Sequence, residues 1–149
     1  MGLRPKFTKL DISKFVGERL VNMEQVIVDR FINIGLQFVR DARIKADFKD
    51  RTGNLRSSIG FLVLKDGQVV REDFEQSNAG TDKQTGINQG LEFAQQIPEL
   101  EKGVSLVVVA GMQYAVYVEA MGYDVLTGSS LEAENNLREA ITFLERVSK

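Results

Sequence analysis

The side chains that most often carry out chemistry in proteins are missing from this sequence. It contains no histidine and no cysteine. A Ser-His-Asp triad, an imidazole base, a HExxH zinc site and a thiolate nucleophile are therefore excluded. A phosphate-binding P-loop is excluded as well, because no glycine-rich run ends in Gly-Lys-Ser or Gly-Lys-Thr. We expect no cofactor and no bound metal, and we expect that the protein is not an enzyme.

Carboxylates are the remaining candidates for catalysis, because two or three of them in one cleft can serve a glycosidase or a metal-dependent hydrolase. Glu99 and Glu101 follow Pro98, where a solvated loop is the better interpretation. Glu119 lies among apolar residues. It is either on the wet face of a short helix or in a hydrogen-bonded pair, for example with an arginine. A metal-dependent hydrolase stays a minor alternative.

Positive charge is concentrated between Arg40 and Arg56, in a chain whose formal net charge is −2. This stretch holds six Lys or Arg residues against three Asp residues, a local excess of three positive charges. One interpretation is a solvated helix end, whose cations suit the C-terminal pole of the helix dipole. The other is a nucleic-acid-binding module, which is the alternative function for this protein.

Length and composition predict one globular domain, residues 1–149, with 43% hydrophobic and 27% charged residues. The basic start, Met1 to Lys6, is not followed by the apolar segment of a secretory signal. The apolar run from Leu106 to Ala110 is far shorter than the ~20 residues that span a bilayer. We therefore expect synthesis in the cytoplasm and no membrane contact.

A long amphipathic helix is predicted from about Ser13 to Asp47, because apolar residues recur there at spacings of three and four without a proline. A second apolar set widens the stripe to about half the circumference, beyond the ~100° that a core-facing helix needs. Either the protein's own sheet and C-terminal helix cover this extra width, or part of it is a subunit interface. The candidate interface residues are Val28, Ile32, Leu36 and Val39.

The middle of the chain predicts a β-hairpin. Its strands are about Ser58 to Lys65 and Gln68 to Phe74. Between them lies Asp66-Gly67, the dipeptide that a two-residue type I′ turn prefers. The polar residues from Glu75 to Gly86 then predict an exposed loop, followed by a short helix that ends near Pro98.

The last part of the chain predicts one strand and two helices. Val104 to Ala110 is apolar and β-branched, which favours a strand buried on both faces at the centre of the sheet. Tyr114 to Met121 predicts a short helix or turn, with Tyr114, Tyr117, Val118 and Met121 on one face and Gly122 well placed to close a helix. Ser129 to Glu132 is a capping box, which predicts the start of a C-terminal helix. The expected fold class is α+β, with a long N-terminal helix and a C-terminal helix packed on a small, mainly antiparallel sheet.

Two stretches together resemble the signature segments of a known family. The first is Thr52-Gly53-Asn54-Leu55-Arg56-Ser57-Ser58-Ile59, and the second is Tyr114-Ala115-Val116-Tyr117-Val118-Glu119 followed by Gly122. Their order, between two amphipathic helices, is similar to the small tail-component family of long-tailed bacteriophages. In that family a long helix leads into a Thr-Gly-x-Leu turn and a hairpin, then a Tyr-Ala-x-Tyr-Val-Glu segment and a terminal helix.

The resemblance implies a structural virion protein of a phage or prophage, without catalysis, that acts in tail completion or head–tail joining. Such proteins work as homo-oligomeric rings, commonly hexamers, between the head connector and the tail tube. The implied partners are further copies of the chain, the connector protein and the tail-tube protein, with DNA contact only in the ring lumen. The protein would be made in the host bacterial cytoplasm and reside in the tail or neck of the virion.

The chain departs from the family's pattern in several places. The family often has proline before the Thr-Gly turn and a proline-rich stretch before the last helix, where this chain has Phe48 to Arg51 and Leu126 to Ser129. The segment from Glu75 to Lys102 looks like an insertion between strands. We also hypothesise that its first part, the loop from Glu75 to Gly86, becomes ordered only in an assembled ring.

Overall fold

A computed structural model describes residues 8–45, 48–97 and 102–147. The helices and strands in these ranges are α1 (Lys9–Lys45), α2 (Asn54–Ser57), β1 (Ile59–Lys65), β2 (Gln68–Asp73), α3 (Gln84–Gln95), β3 (Val104–Ala110), α4 (Ala115–Ala120) and α5 (Thr127–Val147). The predicted α+β class, with long terminal helices and a small antiparallel sheet, is confirmed.

The helix α1 begins earlier than the apolar pattern predicted. The backbone N–H of Thr8 donates to the Asp11 carboxylate at 2.8 Å, and the backbone N–H of Asp11 donates to the Thr8 hydroxyl at 3.2 Å. This reciprocal capping satisfies two backbone donors that the first turn of a helix leaves open, so the helix can begin before the predicted Ser13. The predicted end at Asp47 lies outside the described residues.

The sheet has three antiparallel strands in the order β2-β1-β3. Asp66 and Gly67 join β1 to β2 with φ values of 50° and 78°, the left-handed conformations of a type I′ turn. The hairpin prediction is therefore confirmed. The prediction that Val104–Ala110 is the central strand is wrong, because it pairs with β1 alone and most of its residues are only half-buried.

Helices cover both faces of β1, which is why this strand and not β3 is buried on both sides. On one face, Phe61 and Val63 belong to the main core together with Phe38 of α1. On the other face, Leu62 packs in a second cluster with Ala94 of α3. The alternation of side chains along the strand sends neighbouring residues to opposite helices.

The helix α5 packs antiparallel along the second half of α1. Lys45 near the end of α1 binds Glu132 near the start of α5, with Nζ and Oε2 2.9 Å apart. At the other end of α5, Leu144 lines the same groove as Val26 of α1. The first part of α1 therefore extends past the end of α5.

The widened apolar face of α1 is covered mainly by the subunit itself. Val28 and Val39 are each only 6% exposed, and Ile32 packs against the core. Of the four candidate interface residues only Leu36, at 40% exposed, is open to a neighbour. The prediction of a subunit interface at Val28, Ile32 and Val39 is thus corrected, because the sheet and α5 already occupy that side of the helix.

Candidate assembly surfaces

The two stretches that carry the family resemblance lie side by side. Thr52 and Tyr114, one from each stretch, line a common cleft. Leu55 and Val118, one from each stretch, line the same shallow cleft of about 240 Å³. Partial burial and the nearby Asp50 carboxylate raise the pKa of Tyr114, although the nearby Thr52 acts in the opposite direction.

The first stretch is a turn at Gly53 followed by a single helical turn, α2. Gly53 has a φ of 81°, a conformation that side chains other than glycine rarely adopt. The Asp50 carboxylate then accepts hydrogen bonds from the backbone N–H groups of Gly53 at 2.9 Å and Arg56 at 2.8 Å. This carboxylate stabilises the start of α2 by satisfying donors that a helix end leaves unpaired.

The first stretch, Thr52 to Ile59, also forms hydrogen bonds with the loop that follows the hairpin. The Asn54 side-chain oxygen accepts from the backbone N–H of Gly86 at 3.1 Å, and the Ser57 hydroxyl accepts from the backbone N–H of Ser77 at 2.9 Å. Two hydrogen bonds thus join the loop from Glu75 to this stretch within one subunit. That the loop becomes ordered only in an assembled ring stays a prediction, which limited proteolysis of the free protein and of the assembled particle would test. The last residues of the predicted loop, from Gln84 to Gly86, belong to α3.

The basic stretch from Arg40 to Arg56 contains a cation that holds the fold together. The Arg43 guanidinium donates to the backbone carbonyl oxygens of Arg56 at 3.1 Å, Ile59 at 2.9 Å and Glu75 at 2.9 Å. Its side chain is only 16% exposed. Burial lowers the pKa of Arg43 although nearby carboxylates act in the opposite direction, and the group stays charged as arginines in proteins do.

Two further cations of this stretch are also engaged within the subunit. Lys45 forms the ion pair with Glu132 that joins α1 to α5. The Arg56 guanidinium lies over the Phe48 ring, 5.2 Å from its centre, and donates to the Phe48 carbonyl oxygen at 3.3 Å. The stretch is therefore not one continuous basic surface, which counts against the nucleic-acid-binding alternative.

Glu119 caps the C-terminal helix. Its carboxylate accepts hydrogen bonds from the backbone N–H groups of Val125 at 3.0 Å, Leu126 at 3.1 Å and Thr127 at 3.2 Å, and from the Thr127 hydroxyl. The partners are thus the start of α5 and not an arginine. The predicted capping box at Ser129 is wrong, because α5 begins two residues earlier at Thr127 and takes its caps from outside the helix.

We expect that Glu119→Gln destabilises the protein at neutral pH by about 1 kcal/mol, a typical value for a lost helix cap. Desolvation raises the pKa of Glu119, but the hydrogen bonds from Thr127, Leu126 and Val125 outweigh it and lower the pKa overall. A lowered folded-state pKa adds stability above the unfolded-state pKa of about 4.3, and this stability is lost as the pH falls.

The measurement for this prediction is urea unfolding of the wild type and Glu119→Gln between pH 7 and pH 3. The difference in unfolding free energy should shrink as the pH falls through the acid range. Glu134→Gln is the matched control, because that carboxylate bonds only Arg138 on the exposed face of α5. A constant difference at every pH would contradict the proposed charge interaction.

The helix α4 presents an apolar ridge, which we define as Val116, Tyr117 and Met121. These side chains are 73%, 71% and 69% exposed. Ala115 on the opposite side is buried, and Gly122 ends the helix with a φ of 89°. The sequence placed Tyr117 and Val118 on one face, but the structure turns Val118 towards the core and Tyr117 outward.

A second apolar surface lies on the α1 overhang, which we define as residues Thr8 to Asn22. Every residue in this range is exposed. Ile12, Val16 and Leu20 continue the stripe that enters the core further along the helix, and they are 48%, 49% and 57% exposed. The apolar periodicity that predicted α1 does not indicate at which residue the sheet and α5 cease to cover the helix.

Groups of three or more acidic side chains that could hold a metal ion do not occur in the part of the chain that the structure describes. The carboxylate pair Glu99 and Glu101 lies outside those residues. No helix among the described residues is long and apolar enough to cross a membrane. The described residues form an α+β fold that leaves the α4 ridge and the α1 overhang uncovered. No protein-family model, curated protein or solved structure matches the chain.

Proposed function

We propose that this protein is a structural component of a phage or prophage particle that acts in tail completion or head–tail joining. It would work as a ring between the connector and the tail tube. The observation that carries the proposal is the apolar surface that the subunit leaves uncovered, at the α4 ridge and at the α1 overhang. Large exposed apolar patches usually mark contacts with other proteins.

The arrangement of the family-like stretches supports this proposal. Thr52, Leu55, Tyr114 and Val118, two residues from each stretch, line one cleft, so the two stretches lie together as one unit. That unit holds α4 in place and presents its ridge to the outside. The stretches that resemble the phage family and the exposed α4 ridge thus lie in the same part of the molecule.

The α4 ridge suits a contact with a neighbouring protein of the particle. Tyrosine and methionine are enriched at protein interfaces, since they provide large apolar contact area. The Glu119 carboxylate fixes the end of α4 against α5, so the ridge is held in place before a partner arrives. Such pre-organisation lowers the entropy cost of binding. We assign this ridge to the connector or the tail-tube protein.

Disruption of the gene in an inducible lysogen tests this function. We expect electron microscopy of the lysate to show heads and tails that remain separate, because the joining ring is missing. A plasmid copy of the wild-type gene should restore joined particles, and the double variant Tyr117→Ser/Met121→Ser should not. Val70→Ser serves as the matched control, because Val70 is a 47% exposed apolar residue of β2, away from the ridge. Joined, infectious particles in the disrupted strain would rule the proposal out.

A further inference from the structure

The α1 overhang is a helix that lacks a cover within its own subunit. It extends roughly 22 Å past the body, at 1.5 Å per residue. Ile12, Val16 and Leu20 form one line along it, with Phe15 beside them at 63% exposed. An isolated helix of this length is marginal in water, and most helices are stabilised by packing of their apolar face. We therefore expect the apolar face of the overhang to pack against a surface of another molecule.

A groove of about 570 Å³ between α1 and α5 offers such a surface. We call it the α1–α5 groove. Phe143 on its rim is 65% exposed, and Ala140 within it is buried. The residues that line it include Val26, Asp29, Arg30, Glu139, Phe143 and Leu144. A helix that lies in this groove would contact both α1 and α5 and complete a three-helix layer.

We propose that the α1 overhang of one copy of the chain binds the α1–α5 groove of a second copy. The charges of the two surfaces are complementary. The overhang has three basic residues, Lys9, Lys14 and Arg19, against two acidic residues, Asp11 and Glu18. The groove has the acidic residues Asp29 and Glu139 against the basic Arg30. A slightly positive helix thus meets a slightly negative groove, which favours this pairing over contact between two overhangs.

The geometry of this contact leads to a ring or a filament. Overhang and groove are different surfaces of one chain, so each copy can bind one neighbour on each side. Such a head-to-tail contact closes into a ring when the rotation between neighbours allows it. The inference rests on the proposed function, because it identifies the self-contact that the ring needs. It leaves the α4 ridge free for the connector or the tail tube.

Two variants with opposite defects test the contact. The overhang variant is Val16→Glu/Leu20→Glu, and the groove variant is Phe143→Lys, which adds positive charge where the slightly positive overhang would bind. All three positions are about half exposed or more, so circular dichroism and thermal unfolding should show that both variants fold. The control variant is Ile44→Glu, because Ile44 is an apolar residue of α1 that is 73% exposed and outside both surfaces.

The measurement is sedimentation velocity of each protein alone and of a mixture. We expect wild type and Ile44→Glu to form a closed oligomer. Each defective variant alone should be monomeric, with self-association weakened roughly 30-fold or more, as for the loss of an interface hot spot. The mixture should give a dimer with one copy of each variant, because the intact overhang of one still fits the intact groove of the other.

Other outcomes would overturn the inference. If the groove variant still associates while the overhang variant does not, two overhangs pair with each other. If both variants assemble like the wild type, or the wild type is monomeric, neither surface forms the contact. These measurements involve this chain alone, whereas the proposed function is tested by the particles in the lysate. A failure of one is therefore distinguishable from a failure of the other.

Discussion

Replacement of Arg43 by methionine is expected to lower the free energy of unfolding by about 3 kcal/mol. The guanidinium satisfies the backbone carbonyl oxygens of Arg56, Ile59 and Glu75. Methionine fills similar space but donates no hydrogen bond, so part-buried acceptors lose their partners. For a chain of this length the loss corresponds to a fall in Tm of about 6 to 12 °C.

The matched control for this prediction is Arg40→Met, in the same helix. Arg40 is 65% exposed, and its Nε lies 3.5 Å from the 17% exposed Asp41 carboxylate, which is long for an ion-paired hydrogen bond. Long pairs with an exposed cation contribute little, so we expect a change within about 0.5 kcal/mol. Urea unfolding of the two variants and the wild type provides the comparison. Equal destabilisation by the two substitutions would show that Arg43 does not have the structural role that we assign to it.

The second large effect is expected at Gly35, where α1 meets the sheet. A Cβ atom at this position would lie 2.5 Å from the ring of Phe61, and Phe61 is completely buried. The ring has no room to withdraw, so Gly35→Ala forces the helix and the sheet apart. We expect a net loss of about 2 kcal/mol, since overpacking of a core typically costs 1–3 kcal/mol.

Gly17 provides a control in the same helix with an effect of the opposite sign. Apart from the neighbouring backbone of α1, no atom of the described residues lies within 4 Å of the position that a Cβ would take at Gly17. Alanine is a better helix former than glycine, so Gly17→Ala should stabilise the protein by up to about 1 kcal/mol. Both variants should be measured by thermal unfolding at concentrations where the protein is monomeric, because Gly17 lies within the α1 overhang. Destabilisation by both, or by neither, would contradict the packing that we describe.

Taken together, the proposed contacts divide the molecule into parts with separate roles. Arg43 and Gly35 lie at the junction between α1 and the sheet, which fixes the direction of the long helix. Glu119 joins α4 to the start of α5. The α4 ridge and the α1 overhang are thereby held at defined positions on one body. Substitutions at the junctions should alter stability, whereas substitutions on the two surfaces should alter assembly.

The elements that depend on local sequence were predictable. The apolar spacing of three and four predicted both long helices, and the Asp66-Gly67 pair predicted the hairpin and its turn type. Gly122 predicted the end of α4. These features follow from backbone conformation and from residues a few positions apart. Their physical causes lie within one segment, so a single segment is enough to indicate them.

The candidate sites depended on contacts between distant segments. The resemblance drew attention to Tyr114 and Glu119, but only the structure places Tyr114 in one cleft with Thr52 and bonds Glu119 to the start of α5. In the same way, Arg43 looked like one cation in a basic stretch. Its carbonyl partners come from segments up to 32 residues away. Distances of this kind leave no periodic pattern in the sequence.

The sequence by itself determined the class of the fold, the main helices and the hairpin, because periodicity and turn chemistry are local. It also excluded every mechanism that needs histidine or cysteine. Only the tertiary structure decided which apolar strand lies at the centre of the sheet, since Ile59–Lys65 and Val104–Ala110 have similar apolar patterns. The tertiary structure also decided at which point along α1 the apolar side chains change from buried to exposed. Burial depends on which elements meet in space, and that is a property of the whole fold.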